Sequence, residues 1–409
     1  GVDYIEGGWP GANATDTTFF NEKLNFTNAS FTAFGMTKKI GRSAENDPGL
    51  ASLINTSATS VCIVGKSWDF HVELALEIKL EENLENIQQS IEFIVKNNKE
   101  AHFDAEHFFD GYKANKEYAL KCLQAAADGG ARWIILCDTN GGTLPHEIAE
   151  IVSEVVKIIP GSKLGIHAHN DTGNAVANSL TAIHAGVRQV QGTINGLGER
   201  CGNANLVSII PTLLLKPYFK DNFELTISVD NLKLLTDLSR LQDEILNRSS
   251  NRNAPYVGAS AFAHKGGLHA SAVNKDPKTY EHIEPSIVGN QRQIVISEQS
   301  GKSNIISKLK SAGISVNEDD QSIQKILDRV KEREFTGYTY DGADASFELL
   351  VKKVLGQFTE FFATKSFKIN IENTGDEGST LSKAEVIFVV GGKDVSGSGE
   401  GNGPVNALD

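Results

Sequence analysis

No apolar run in this chain approaches the roughly 18 residues that a bilayer-spanning helix needs, so no transmembrane segment is expected. Positive charge is also in deficit: 39 lysines and arginines stand against 52 aspartates and glutamates, a net charge of −13. A general nucleic-acid binder needs a basic surface to meet phosphates, and this composition excludes that class. An anionic ligand has to be met by a local basic pocket instead. Cys62, Cys122, Cys137 and Cys201 are scattered and form no CxxC. They read as small, buried, reduced thiols of a cytosolic protein rather than a disulfide scaffold. No signal or transit peptide is expected ahead of the first strand. The chain opens at Gly1 directly into "VDYIEGG" and stops at Asp409 just after "GPVNAL", so both ends are expected to fall inside domains.

What is present is material for a core. The 409 residues, 40% hydrophobic and 22% charged, suffice for a large enzyme domain and one or two smaller ones. From residue 1 to about 220, short β-rich runs alternate with helical patterns. The strands are expected at 2–6, 31–35, 61–65, 101–106, 132–138, 164–170 and 187–195. Helices are expected between them, as at 71–98 and at 115–130, the latter closed by a Gly pair suited to a C-cap. Such βα repeats make a parallel sheet. Seven strands, with Glu6, Glu106, Asp138, His167, His169 and Asn195 placed at their C-terminal ends, favour a (β/α)8 TIM barrel that lacks its first strand. Residues 221–355 read as a mostly helical linker region, with helices expected at 229–249, 300–313 and 319–334. Residues 356–409 alternate like strands between glycine-rich turns, as part of an α+β regulatory domain.

The chemistry concentrates in "LGIHAHNDTGN", residues 164–174. In a strand, side chains two apart share a face, so His167 and His169 converge on one object: a metal ion, a proton or a hydrogen-bonded core. The N-x-S/T match "NDT" that follows them is taken as chance. The next strand leads into "GTINGLGERCGNANL", where Gly196, Gly198 and Gly202 allow a tight loop. Asn203 is there either a helix N-cap or an amide donor to the same ion. Arg200 is a clamp for a substrate carboxylate or the partner of Glu199. "FDAEHFFDG" sets Glu106 at a strand end as a candidate for proton transfer. "CDTNGGTLP" offers the Thr139 hydroxyl to a carboxylate, and "AFAHKGGLHASAV" places His264 and His269 in the helical region.

The stretch "GIHAHNDTGNAVANSLTAIHAGVRQVQGTINGLGERCGNANL" resembles the family that holds 2-isopropylmalate, homocitrate and citramalate synthases. The opening "VDYIEGGWPGANATDTTFF" and "VCIVGKSWDFH" resemble its citramalate branch. The resemblance covers nearly the whole chain. It implies a TIM barrel, a helical linker and a C-terminal regulatory domain, in a cytoplasmic homodimer that condenses acetyl-CoA with a 2-oxo acid on a divalent cation. Carried over, His167, His169 and Asn203 are metal ligands, and Glu106 acts at the acetyl methyl. Thr139 and Arg200 meet the oxo acid, and His269 is the catalytic histidine that the linker lends to a partner subunit. The implied substrate is pyruvate, the product citramalate, the pathway isoleucine biosynthesis, the cation Mg²⁺, Mn²⁺ or Zn²⁺. The tail would take an amino-acid effector, isoleucine or leucine. Two features depart from the family. The Arg-Asp pair of its first strand is not in this sequence, and no tyrosine lies near "VGNQRQIVIS", as it does in isopropylmalate synthases. Other oxo acids (2-oxoisovalerate, 2-oxoglutarate), a lyase activity and a non-catalytic effector-binding module stay open at this point.

Overall fold

Seven strands form in chain order. They are Tyr4–Glu6 (β1), Ser30–Met36 (β2), Ser60–Lys66 (β3), Glu100–Glu106 (β4), Trp133–Asp138 (β5), Leu164–Ala168 (β6) and Gln189–Gln191 (β7). All neighbours are parallel, and the order is β1 to β7 without a crossover. The computed structural model describes residues 1–409 except 23, 25, 315–320, 374 and 376–379. Two units are distinguished: residues 1–263 with 277–293, and residues 264–276 with 294–409.

In the first unit the two faces of the sheet differ in chemistry. Ile63, Phe103, Ile134, Leu136 and Ile166 point outward into one core with helix residues such as Ile87, Ile91 and Leu123. The alternate positions point inward. There Trp133, Ile135 and Cys137 cluster with Tyr4, and Trp133 Nε1 donates to the Tyr4 hydroxyl at 3.1 Å. Strands β1 and β5 are four places apart, about 19 Å in a flat sheet. They touch because the sheet is rolled into a half-barrel, and the fold is of the TIM-barrel type. Among the described residues, β1 and β7 each have one paired neighbour.

Local signals explain some helix ends. Asp47 accepts from Leu50 N at 2.9 Å as the N-cap of Pro48–Ile54, and Asn115 accepts from Tyr118 N at 3.2 Å at the start of Lys116–Asp128. The Gly pair follows that helix as expected, Gly130 taking φ +94°. The helical stretch expected at 71–98 is broken. Val72–Leu76 makes a wider π turn and Glu77 is left-handed at φ 56°, which a continuous right-handed helix cannot hold, so the regular helix begins at Leu80. The last strand is shorter than expected, because a turn with Asn195 at φ 56° follows Gln191. Cys62, Cys122 and Cys137 are buried, whereas Cys201, on a surface loop, is exposed.

In the second unit, Lys302–Ser311, Gln321–Phe335 and Asp344–Val354 pack around Ile305, Leu309, Ile326, Val330 and Phe347. The helix expected at 319–334 begins at Gln321, its first two positions lying outside the described residues. Then comes a three-stranded antiparallel sheet, Ala363–Asn373, Thr380–Val390 and Lys393–Gly401, with Thr380–Val390 in the centre. The short helix Pro404–Leu408 lies on it, over buried Ser382 and Ala384, while Phe367, Ile371 and Val395 stay exposed. No helix of the described residues is long and apolar enough to cross a membrane.

Candidate active site at the barrel mouth

Parallel register decides which strand-end residues share the lumen. Cys62 is opposite His102, Val64 opposite Asp104 and Lys66 opposite Glu106. His102 is opposite Trp133, and Cys137, His167 and Gln191 stand in one row across β5, β6 and β7. The inward positions are therefore unusually polar for a barrel interior, and they lead up to the C-terminal mouth.

His167 and His169 lie with rings nearly parallel, 12° apart in plane and 5.1 Å between centroids. His169 belongs to the chain just past β6, where it bridges Asn203 and its N–H donates to Asp138 O at 3.2 Å. His167 Nε2 is 3.1 Å from Asn203 Oδ1. Thus the structure brings the two imidazoles and the carboxamide together.

Their hydrogens are assigned by a chain of partners. Gln191 Nε2 donates to Asp104 Oδ1 at 3.1 Å, which turns Gln191 Oε1 toward His167 Nδ1, 2.7 Å away. Nδ1 then carries the proton. At Asn203, Nδ2 donates to Leu197 O at 3.0 Å, which leaves Oδ1 facing Nε2. Two electron-pair donors thus face each other with every fixed hydrogen spent elsewhere. Only a proton or a metal cation relieves that arrangement. Burial works against protonation of His167, but Asp104 first, then Gln191 and Asn203, outweigh it and lift the imidazole to about 9. His169 goes the other way: burial, then the charges of His167 and Arg200, lower it to about 4. Its Nδ1 is buried with no hydrogen-bond partner. A neutral imidazole with an unused nitrogen is what a divalent cation binds.

A second set also lies close. Ligand atoms of Asp104, Cys137 and His167 come within 4.8 Å of one another. That set is the poorer cation holder. Burial pushes the Cys137 thiol well above its ordinary value and keeps it protonated, and Asp104 is committed to Gln191. The residues therefore fit a divalent cation on the His167, His169 and Asn203 side.

The loop that carries Asn203 depends on glycine. Gly202 has φ +90°, and a Cβ there would meet Gly196 O at 2.0 Å. A Cβ on Gly198 would meet Asn203 Nδ2 at 2.3 Å, displacing the amide itself.

The other expected residues have these partners. Glu106 closes β4 on the lumen side and pairs with Lys66. Thr139 Oγ1 accepts from His107 N at 2.8 Å, leaving its own O–H to donate. The Arg200 fork is filled by Asp171, with Nε at 2.8 Å from Oδ1 and a terminal nitrogen at 2.9 Å from Oδ2. The same terminal nitrogen donates to Thr139 O at 2.7 Å, and Glu199 lies farther off at 3.8 Å. Arg200 so fastens three mouth loops together. Asp138 has the opposite parity to Cys137: it is buried away from the lumen and takes hydrogen bonds from Thr143 and Asn178. Asn195 holds Ser239 O and Asp243 rather than the mouth. His264 and His269 belong to the second unit, His269 on the helix Gly267–Lys275. Sequence reasoning missed Lys66, Gln191 and Asp171. The end position of Lys66 on β3 and of Gln191 on β7 was the available signal.

Residues 1–239 match the HMGL-like family, 256–336 the homocitrate synthase post-HMGL domain-like family, and 341–409 the LeuA allosteric (dimerisation) domain. The chain is 50% identical to an (R)-citramalate synthase of Aquifex aeolicus, over all of this chain and 77% of that one. It is equally similar, with the same coverage, to the (R)-citramalate synthase of Geobacter sulfurreducens. The chain belongs to the citramalate synthase family. A probable 2-isopropylmalate synthase of Methanopyrus kandleri is more distant, 32% identical over 81% of this chain and 62% of its own length. That gap places the chain on the citramalate branch.

Proposed function

We propose that this protein condenses acetyl-CoA with pyruvate and water to give (R)-citramalate and CoA, as the acyltransferase for which its nearer relatives are named. The observation that carries the reading is the opposed pair of electron-pair donors, His167 Nε2 and Asn203 Oδ1, beside the stacked ring of His169, whose Nδ1 has no partner. These three residues would hold a divalent cation, which would supply Lewis acidity toward the keto group. Their mixed imidazole and amide chemistry suits Mg²⁺, Mn²⁺ or Zn²⁺. The Glu106 carboxylate takes a proton from the acetyl methyl, and the freed carbon pair attacks the keto carbon of pyruvate. The keto oxygen gains a proton, and water cleaves the thioester to release CoA. The Thr139 hydroxyl donates to the pyruvate carboxylate, and Arg200, fixed by Asp171, keeps that loop in place by donating to Thr139 O. His269 is assigned as the catalytic histidine that the linker lends to a partner subunit.

In this reading residues 1–220 form the catalytic barrel, 221–355 the linker and 356–409 the regulatory tail. The match to the LeuA domain supports an amino-acid effector, isoleucine by this pathway, and pairing with a second copy. A CoA-release assay over pyruvate, 2-oxoisovalerate and 2-oxoglutarate tests the assignment. Pyruvate is expected to give the highest kcat/KM. Faster turnover of 2-oxoisovalerate would move the protein to the isopropylmalate branch.

A further inference from the structure

Strand register sets a second charged residue beside Glu106. Lys66 is the last residue of β3 and stands opposite Glu106, the last of β4. Both share the parity of Cys62 and His102, so both side chains turn into the lumen. There the ammonium and the carboxylate form an ion pair, each side chain 23% exposed. The strand ends do not depend on it. Asn83 Nδ2 donates to Lys66 O at 2.9 Å, and Ser67 donates to Glu106 O through its backbone N at 3.2 Å and its hydroxyl at 2.7 Å. An ion pair this accessible adds little to stability. What it does decide is direction. A glutamate at the rim of a lumen has several staggered rotamers, and a cation on the neighbouring strand selects one. Arg200 is committed to Asp171 and Thr139 O, which leaves this task to Lys66.

We propose that Lys66 is the positioning residue of the proton-abstraction step, holding the Glu106 carboxylate in the orientation from which it takes a methyl proton of the acetyl thioester. In that step the methyl C–H bond breaks, the proton bonds to a Glu106 oxygen, and the electron pair becomes that of the thioester enolate. The inference rests on the reading of Glu106 as the base.

The test uses the full-length, cation-loaded enzyme with acetyl-CoA and its trideuteroacetyl form, in Lys66→Met, Lys66→Arg and Glu106→Gln variants. Lys66→Met is expected to lower kcat by about 10- to 100-fold, the scale of a misplaced catalytic group. The KM for pyruvate should stay nearly unchanged, and the deuterium isotope effect on kcat/KM for acetyl-CoA should rise. Lys66→Arg, which restores the pair, should recover most of the loss. Should Lys66→Met not fold, Lys66→Gln takes its place. The inference is overturned if the variant keeps wild-type kcat and isotope effect while Glu106→Gln is inactive. It is equally overturned if Met and Arg variants are alike impaired with an unaltered isotope effect. A fully active Glu106→Gln would instead remove the reading of Glu106 itself, and this inference with it.

Discussion

Gln191 serves two neighbours with its two ends: its amide hydrogens go to Asp104 and its oxygen to the Nδ1 proton of His167. A leucine at 191 would free both at little cost in volume. Outer partners of metal ligands contribute about 10- to 100-fold in affinity, so Gln191→Leu should weaken divalent-cation binding by that factor, read by calorimetry on the full-length protein. His167→Ala should abolish both cation binding and CoA release. A variant that still turns over would refute its assignment. The two histidines were legible in the sequence because a period of two is a local signal. Gln191 and Lys66 were not, since nothing local says which residue of one strand faces which residue of the next. Asn203 was legible only as two alternatives, an N-cap or an amide ligand, as its approach to His167 is made by a loop 36 residues on.

At the scale of elements, parity does the sorting. Asp138 and His167 both sit near strand ends, yet one turns to Thr143 and Asn178 behind the sheet and the other into the lumen. Composition reveals the strand but not the turn in which it ends, which is why Asn195 falls outside the mouth. The loop 196–203 is held by backbone conformation as much as by contacts. Gly202→Ala adds a left-handed penalty of about 1–3 kcal/mol to its clash with Gly196 O, and should lower the thermal midpoint by several degrees. At the lower end of the barrel, Glu100 joins β1 to β4. The Tyr4 hydroxyl donates to its Oε1 at 2.6 Å, and His102 Nε2 lies 2.9 Å from the same oxygen. His102 foremost, with Tyr4 and against the effect of burial, holds the Glu100 carboxyl below its ordinary value. A depressed carboxyl stabilises the fold above its unfolded pKa, about 4.3, and loses that contribution as pH falls through its folded value. Glu100→Gln should therefore cost stability at pH 7, by about 1 kcal/mol at most for so open a site. It should also flatten the acid limb below roughly pH 4, where the wild-type contribution titrates away. Urea titrations across that range read both.

For the molecule as a whole, the alternation of seven β-rich runs with helical patterns was enough to read a parallel, rolled sheet, because each βα unit is local in sequence. The division into units was harder to read, since residues 264–276 leave the first unit and residues 277–293 return to it. The tail presents a further consequence of layout. Its short last helix covers Ser382 and Ala384 but leaves Phe367, Ile371 and Val395 63%, 58% and 48% exposed. Apolar area of that kind on a domain related to a dimerisation module should be covered by a second copy. Phe367→Ser with Ile371→Ser is expected to shift the mass from dimer toward monomer by light scattering. Finally, the interior of the barrel is wired rather than oiled. Asp104, Gln191 and His167 occupy space that aliphatic side chains fill in many barrels. An engineer who sought heat resistance by greasing that lumen would disconnect the very imidazole to which the proposed chemistry is assigned. Durability in this scaffold has to be added from outside, on the helix-facing side of the staves, where Phe103 and Ile134 already lie.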